Sequence, residues 1–319
     1  MGTQLTGLYA CRHGLECEFI SPQFAVNKLE TYLRLVDRVK ASLILAFYND
    51  IELLRVVLAA LNTERHIEFE VVIADDGSSQ EVVAQVKALL DSYNFPVKYI
   101  WQPDQGFGKA IILNKAVVAA SGETLIFVDA DCVPQASFVS DHLRYAAPGV
   151  CLVGRRVNVF RDALYELNCR AAHRIVSNNL LTLFWWSVKR RVTHLERGVR
   201  LPEFMVACLS KKHWGIVGCN FSVAKTDLLA VNGFDERHNF PWGAEDSDLQ
   251  RRLQLNGVAL KSLVQQACLI HFDGSFFGRK DQQNEYDLER LRAYQLVASE
   301  NQSWTAHGIV KSSCRIASS

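Results

Sequence analysis

Acidic side chains follow two apolar runs in the first half of the chain. Asp76 comes soon after Val71–Ile73, and Asp129 and Asp131 come after Thr124–Val128. A carboxylate at the first position could accept the N3–H of a uracil ring. Side chains alternate along an extended chain, so Asp129 and Asp131 can point to one side, where carboxylate oxygens suit Mg²⁺ or Mn²⁺. Plain turns use the same residue types, and that alternative stays open.

A third acidic cluster stands where a helix is predicted to begin. Trp242 is followed by Glu245, Asp246 and Asp248, which lead into the apolar positions of Leu249–Leu255. An aromatic platform beside an acid pair suits a sugar, which has apolar C–H faces and polar edges. Acids in a first helical turn also complement the helix dipole, for roughly 0.3–1 kcal/mol each, and we assign only that role to Asp248.

His271 closes the apolar run Ala267–Ile270 and is the remaining candidate for chemistry. A neutral imidazole is a common metal ligand. A lone histidine after such a run can equally be a structural residue with satisfied hydrogen bonds, so position must decide its role.

The elements that carry these residues form a repeating pattern. From residue 41, apolar runs of strand length alternate with helical stretches, which predicts a parallel sheet covered on both faces. Such sheets bind ligands beyond the carboxyl ends of their strands, at a topological switch point. The predicted strands are Ser42–Phe47, Phe69–Ala74, Val97–Trp101 and Thr124–Val128, and the predicted helices are Asp50–Asn62, 80–92 and 108–120.

Three flanking or inserted segments complete the expected organisation. Residues 1–40 are expected to be an N-terminal helical extension, 41–275 the main domain and 276–319 a C-terminal helical tail. Residues 155–213 hold 12 Arg and Lys against 4 Asp and Glu, around the apolar stretch Leu180–Trp186. We interpret that segment as a basic helical insertion.

The bulk composition excludes several classes of protein. A formal net charge of +1 gives no electrostatic case for nucleic-acid binding. No stretch reaches the ~18 apolar residues of a membrane span, and the N-terminus lacks a signal-peptide pattern. Nine cysteines occur singly and without a CxxC pair, as expected for reduced thiols in a cytoplasmic protein.

The order of these motifs resembles the family 2 glycosyltransferases, which have the GT-A fold, over roughly residues 41–273. The most specific part runs from Gly218-Cys219-Asn220-Phe221-Ser222 through Val231-Asn232-Gly233-Phe234-Asp235 to Trp242-Gly243-Ala244-Glu245-Asp246. It is similar to the carboxyl-terminal segment of β-1,4-galactosyltransferases and animal-type N-acetylgalactosaminyltransferases. The run from Phe107-Gly108-Lys109-Ala110 to Leu113-Asn114 is similar to their donor-binding loop and helix.

The resemblance implies a role for each candidate residue. Asp76 would contact uracil, Lys109 the donor phosphates or sugar, and Asp129 the ribose or sugar. Asp131 and His271 would bind Mn²⁺ or Mg²⁺. Galactosyltransferase relatives often carry methionine three residues before that histidine, but this chain has Cys268, which leaves the third ligand open. Asp246 would be the catalytic base, Glu245 an acceptor contact and Trp242 the wall of the acceptor site.

The function implied is that of an inverting, metal-dependent hexosyltransferase. It would move a hexose or N-acetylhexosamine from a UDP-sugar to a hydroxyl of a glycan or lipid-linked acceptor, in bacterial surface-polysaccharide assembly. The expected location is cytoplasmic. Two interpretations of residues 155–213 stay open: peripheral contact with the inner membrane face, or a solvated helical lid whose Trp and Leu residues pack on the core. The alternatives are a sugar-phosphate nucleotidyltransferase, which would normally carry a phosphate loop rich in Gly and Arg, and an inactive nucleotide-sugar-binding protein.

Overall fold

A computed structural model gives the architecture of most of the chain. It describes residues 39–64, 68–163, 180–202, 204–206, 214–240, 244–273, 291, 294–295 and 297–311. The predicted N-terminal extension, residues 1–40, therefore lies almost wholly outside the described residues. Within the described ranges, no helix is long and apolar enough to cross a bilayer.

A seven-stranded sheet forms the centre of the fold. The strands are β1 Ala41–Phe47, β2 Phe69–Asp75, β3 Val97–Trp101, β4 Thr124–Asp129, β6 Val150–Val153, β9 Phe221–Ala224 and β10 Ala259–Ser262. Their order in the sheet is β10-β6-β9-β4-β1-β2-β3, and only β9 runs antiparallel to its neighbours. The chain moves outward from β1 to β3 and then returns to the other side of β1 as β4, which creates a switch point between β1 and β4.

Helices cover both faces of this sheet, as the alternating pattern predicts. Leu43 and Leu45 of β1 pack in one apolar cluster, and Ile44 between them packs in another, because successive side chains of a strand point to opposite faces. The helices are α1 Ile51–Leu61, α2 Gln80–Lys87, α3 Lys109–Ala119, α4 Phe138–Tyr145, α5 Leu180–Val188, α6 Lys225–Ala230 and α7 Glu245–Leu255. The first cluster includes residues of α1 and α4, and the second includes residues of α3 and α7.

A second, four-stranded sheet brings distant segments together beside the first. Its order is β5-β11-β7-β8. In its register, His271 of β11 stands opposite Cys132 of β5 on one side and Asn158 of β7 on the other. The strands are β5 Cys132–Pro134, β7 Arg155–Phe160, β8 Val192–Thr193 and β11 Cys268–Asp273.

The interpretation of residues 155–213 as helical is wrong at both β7 and β8. In β7, buried Val157 and Val159 alternate with less buried polar residues, which is the pattern of a strand with one covered face. The high basic content hides this alternation. Helix α5, a 3₁₀ turn at Leu195–Gly198 and a short turn at 204–206 are helical, while 164–179 and 207–213 lie outside the described residues.

The expectation of a C-terminal helical tail is wrong for residues 301–311, which are described and are not helical. The side chain of Asn232 forms hydrogen bonds with the backbone of this stretch instead. Its side-chain amide donates to the carbonyls of Thr305 (2.7 Å) and Val310 (2.9 Å) and accepts from the Val310 N–H at 2.8 Å. These hydrogen bonds compete with helix formation, so the tail follows the surface of the main domain.

Candidate active site

A cleft of about 880 Å³ opens at the carboxyl ends of β1, β2 and β4. It therefore lies at the switch point of the large sheet. Its lining includes Asp76, Lys109, Asp129 and Asp131, four of the residues singled out from the sequence. Side chains separated by more than fifty positions thus meet in one cleft.

Asp76 is held at the cleft by the loop before α3. Its Oδ1 accepts from Gln102 Nε2 at 2.6 Å and its Oδ2 accepts from the Gly108 N–H at 2.8 Å. A Cβ at Gly108 would lie 2.7 Å from Asp76 Oδ1, so only glycine permits this approach. Burial raises the pKa of Asp76, which these two hydrogen bonds partly offset. Each carboxylate oxygen keeps a second lone pair for a further donor.

Lys109 connects the two acidic clusters. Its Nζ lies 2.8 Å from Asp129 Oδ1 and 3.8 Å from Glu245 Oε1. Burial alone would lower the pKa of Lys109, but these two carboxylates raise it above its usual value, so the ammonium stays charged. Burial raises the pKa of Glu245, and the charge of Lys109 works against that rise.

Asp131 and His271 form the pair that could hold a metal ion. Their Oδ2 and Nε2 atoms are 3.2 Å apart, and the side chains are 41% and 11% exposed. Burial alone would raise the pKa of Asp131, but the hydrogen bond and charge of His271 keep it below its usual value. A charged carboxylate and an imidazole that open to a cleft fit a small divalent cation whose other ligands come from water and a diphosphate.

The two cysteines near this pair differ in position. Cys132 Sγ is within 4.8 Å of the ligand atoms of Asp131 and His271. Burial raises its pKa well above the usual value, so it stays a thiol, which is a poor ligand for Mg²⁺ or Mn²⁺. Cys268, the open third-ligand position, is buried and is not part of the metal-ligand cluster found among the described residues.

Asn158 orients the ring of His271, a contact that sequence reasoning did not find. Asn158 Oδ1 lies 3.2 Å from His271 Nδ1. An amide oxygen only accepts, so Nδ1 carries the proton and the Nε2 lone pair can face the cleft when the ring is neutral. The register of β7 with β11 creates this contact, and no local sequence pattern indicates it.

Asp246 stands in the first turn of α7, beside the loop that precedes β9. Its Oδ2 accepts from the Gly218 N–H at 3.3 Å, and its Oδ1 accepts from the Ser247 N–H at 2.7 Å. A Cβ placed on Gly218 would lie 3.6 Å from Lys109 Nζ, so this loop also borders Lys109. Asp246, Glu245 and the cleft residues are therefore neighbours. Trp242, the predicted acceptor wall, lies outside the described residues.

Trp214, Arg155 and Arg197 form a cationic cluster beside this loop. The guanidinium carbons of Arg155 and Arg197 lie 4.4 and 5.5 Å from the centre of the Trp214 ring. The three residues come from separate segments, so sequence reasoning missed them. The sequence feature that could have indicated this cluster is the doublet Arg155-Arg156, which follows an apolar strand.

The assignment of Asp248 to helix-dipole complementation alone is wrong. Its side chain is fully buried, and its Oδ2 accepts from Arg252 Nε at 2.7 Å. Arg252 Nη1 in turn donates to the carbonyls of Val231 (2.9 Å) and Gly233 (2.8 Å). Asp248 therefore neutralises a buried cation that holds the backbone at Val231 and Gly233, in the segment before α7.

Asp248→Asn is expected to cost roughly 3–5 kcal/mol of unfolding free energy, because it leaves the Arg252 charge unpaired in the core. Burial alone would raise the pKa of Asp248, but His238 and Arg252 hold it below its usual value. Its stabilisation is therefore complete above about pH 4 and is lost as pH falls below that value. Urea denaturation of the variant measures the cost, and a loss under about 1 kcal/mol would contradict the buried-pair account.

Family models match two consecutive parts of the chain. "Glycosyl transferase family 2" matches residues 42–194, and "N-terminal domain of galactosyltransferase" matches residues 206–271. Chondroitin synthase of Escherichia coli is 26% identical over 247 residues, covering 70% of this chain and 33% of that protein. Validoxylamine A glucosyltransferase of Streptomyces hygroscopicus subsp. jinggangensis is 28% identical over 232 residues, covering 69% of this chain and 52% of that protein.

The chain spans about a third to a half of the length of these two relatives. Solved structures share its fold. A mannosyltransferase of Pyrobaculum calidifontis in complex with GDP-Man and Mn²⁺ has a TM-score of 0.55 at 15% identity, covering 85% of this chain and 71% of that one. GalNAc-T7 with UDP, GalNAc and Mn²⁺ has a TM-score of 0.53 at 13% identity, covering 80% and 54%.

These findings confirm the fold class, an α/β GT-A-type fold around a mostly parallel sheet. They also decide against the sugar-phosphate nucleotidyltransferase, because the matched families and the relatives named above are glycosyltransferases. They confirm the resemblance seen in the sequence: residues 42–194 match the family 2 glycosyltransferases, and residues 206–271 match a segment of the galactosyltransferase type.

Proposed function

We propose that the chain is an inverting, metal-dependent transferase that moves a hexose or N-acetylhexosamine from a UDP-sugar to a hydroxyl of a glycan or lipid-linked acceptor. The observation that carries this proposal is the single cleft where Asp76, Lys109, Asp129 and Asp131 meet at the switch point of the sheet. Related proteins that build polysaccharides, such as the chondroitin synthase, favour a role in surface-polysaccharide assembly.

The donor would lie along the cleft. Asp76 would accept the uracil N3–H, Lys109 would neutralise phosphate charge, and Asp129 would bind ribose or sugar hydroxyls once the donor separates it from Lys109. Asp131 and His271 would hold Mn²⁺ or Mg²⁺. When bound, the cation supplies Lewis-acid stabilisation of the departing diphosphate, worth several kcal/mol.

Asp246 would act as the base on the acceptor side. It takes the proton of the acceptor hydroxyl while the acceptor oxygen bonds to the anomeric carbon and the bond from that carbon to the UDP oxygen breaks. Two nearby carboxylates, Asp129 and Glu245, face Lys109 and are poorly placed as nucleophiles. A single displacement without a covalent intermediate inverts the anomeric centre. Glu245 and Trp242 would contact the acceptor.

Calorimetric titration with UDP and GDP tests the donor site directly. With Mn²⁺ present, we expect UDP to bind at least about tenfold more tightly than GDP, because a hydrogen bond from uracil to charged Asp76 contributes about 1.5–3 kcal/mol. Asp76→Ala should remove that preference. Equal affinity for UDP and GDP in the wild-type protein would reject the uridine assignment.

Helix α5 supports contact with an anionic membrane surface. Leu183 and Trp186 are 2% and 3% exposed and pack into the core. On the other side, Phe184 (59%) and Trp185 (58%) are exposed, and so are Leu181 and Val188 at helical spacing from them. Exposed Lys189 and Arg190 follow at the end of the stripe. An apolar stripe with basic residues beside it fits the headgroup region of an anionic bilayer.

Flotation with vesicles that contain phosphatidylglycerol tests this contact. We expect the protein to float with them at low salt, and the double variant Phe184→Asp/Trp185→Asp to partition at least about tenfold less, since each buried aromatic contributes roughly 1.5–3 kcal/mol. Val118→Asp, at an exposed apolar position on α3, is the matched control and should float like the wild type. A wild-type protein that stays at the bottom of the gradient would reject the membrane contact.

A further inference from the structure

Two arginines meet at one tryptophan next to the loop that contacts Asp246. Arg155 begins β7, and its Nη1 donates to the carbonyls of Gly154 (2.7 Å) and Gly215 (2.9 Å). Arg197 lies in the 3₁₀ turn Leu195–Gly198, and both guanidiniums contact the Trp214 ring. Tertiary folding therefore concentrates positive charge at one point.

A short segment of the chain connects this cationic cluster to Asp246, the proposed base. Trp214 begins the segment 214–218, whose Ile216 N–H donates to Gln250 Oε1 (2.7 Å) and whose Gly218 N–H donates to Asp246. The segment therefore runs along the first turns of α7. The cationic cluster is not part of the lining of the cleft that holds the donor candidates.

The charge balance of the cluster is incomplete. Within the described part of the chain, Arg155 has no carboxylate partner in an ion pair, and its hydrogen bonds go to neutral carbonyls. The acid that pairs with Arg197 among the described residues is the exposed Glu196, with a distance of 3.6 Å between Nε and Oε1. Burial and the neighbouring Arg197 lower the pKa of Arg155 to about 10, which still leaves it charged at neutral pH. A single arginine stacked on tryptophan is ordinary packing, but two guanidiniums on one ring repel each other, and an anion bound near both would relieve that repulsion.

We infer that Arg155, Arg197 and Trp214 form a subsite for an anionic group of the acceptor, a carboxylate or a phosphate. This inference rests on the proposed transfer function and names the class of its acceptor. The planar fork of a guanidinium matches both oxyanions in two parallel hydrogen bonds. The subsite would hold the acceptor by its charge while its hydroxyl faces Asp246.

Saturation-transfer NMR titrations on the full chain, with its donor site filled by UDP and diamagnetic Mg²⁺, test this inference. The probes are methyl β-D-glucuronide, glucose 1-phosphate and, as the neutral match, methyl β-D-glucoside. We expect at least one anionic probe to bind about tenfold or more tightly than the glucoside, with an affinity that falls as NaCl is added. The tighter of the two anionic probes identifies carboxylate or phosphate as the natural group.

Arg197→Gln should abolish the preference for the anionic probe. Arg144→Gln is the matched control, because Arg144 also stacks on an aromatic ring, that of Tyr145, but lies on α4. Arg155→Gln should have the same effect. If that variant is too unstable to study, the binding preference of Arg197→Gln alone tests the subsite. Equal binding of charged and neutral probes, or an unchanged preference in Arg197→Gln, would overturn the subsite. Failure of UDP to bind the wild-type protein in the first step would instead reject the transfer function.

Discussion

Asp246→Asn is expected to lower turnover by roughly 10²–10⁴, the usual contribution of a positioned base. Asparagine keeps the size of the side chain and can still accept from the Gly218 N–H, but it cannot take a proton from the acceptor. UDP affinity should stay unchanged, because the donor candidates Asp76, Lys109, Asp129 and Asp131 lie in the cleft. Steady-state UDP release and UDP calorimetry on the same sample separate the two effects.

The control for Asp246→Asn is Glu81→Gln, an exposed acid in the first turn of α2. This variant also replaces a carboxylate by an amide at the start of a helix, but away from the cleft. Its turnover should match that of the wild type. Asp248→Asn does not serve as a control, because that side chain is buried in the ion pair with Arg252. Turnover above about half of the wild-type rate in Asp246→Asn would assign the base to another residue.

Asp131→Ala is expected to lower turnover by at least about 10³, because the bound cation supplies several kcal/mol of stabilisation. EDTA should do the same to the wild-type protein, and Mn²⁺ or Mg²⁺ should restore it. Both treatments should also weaken UDP binding, since the cation would bridge the protein and the diphosphate.

Binding of Mn²⁺, followed by electron paramagnetic resonance without any substrate, tests the metal site apart from activity. Asp131→Ala and His271→Ala should each bind Mn²⁺ more weakly than the wild type. Asp162→Asn, an exposed acid that does not line the cleft, should bind it normally. Full turnover in EDTA, or unchanged Mn²⁺ affinity in Asp131→Ala, would contradict the assignment.

The sequence predicts β1, β2 and β4 of the large sheet well because these strands are buried on both faces. In β2 every residue is buried, and its stretch Val71–Ala74 appears as an unbroken apolar run directly before the turn-favouring residues Asp75, Asp76 and Gly77. Once strands are known to be parallel, Asp76 and Asp131 must share one edge of the sheet. The meeting of these residues in one cleft follows from this shared direction together with the strand order β4-β1-β2, which places their strands close together.

Contacts made by the second sheet could not be predicted in this way. Arg155-Arg156-Val157-Asn158-Val159-Phe160 has a strand pattern, but its basic residues resemble those of a solvated helix. The contact of Asn158 with His271 depends on the register of β7 against β11. Similarly, the first-turn position of Asp248 does not reveal that Arg252, one turn later, is buried with it.

The most direct measurement of the proposed function is UDP release from a panel of UDP-glucose, UDP-galactose, UDP-N-acetylglucosamine and UDP-N-acetylgalactosamine, with GDP-mannose as the comparison. Each donor is incubated with the full chain in Mn²⁺ or in EDTA, with water or a glycan hydroxyl as acceptor. We predict release from at least one UDP-sugar in Mn²⁺, a β-configured product when the donor is α-linked, and no release in EDTA. An α-configured product would contradict inversion, and a chain that binds UDP but releases none from any donor would be an inactive nucleotide-sugar-binding protein.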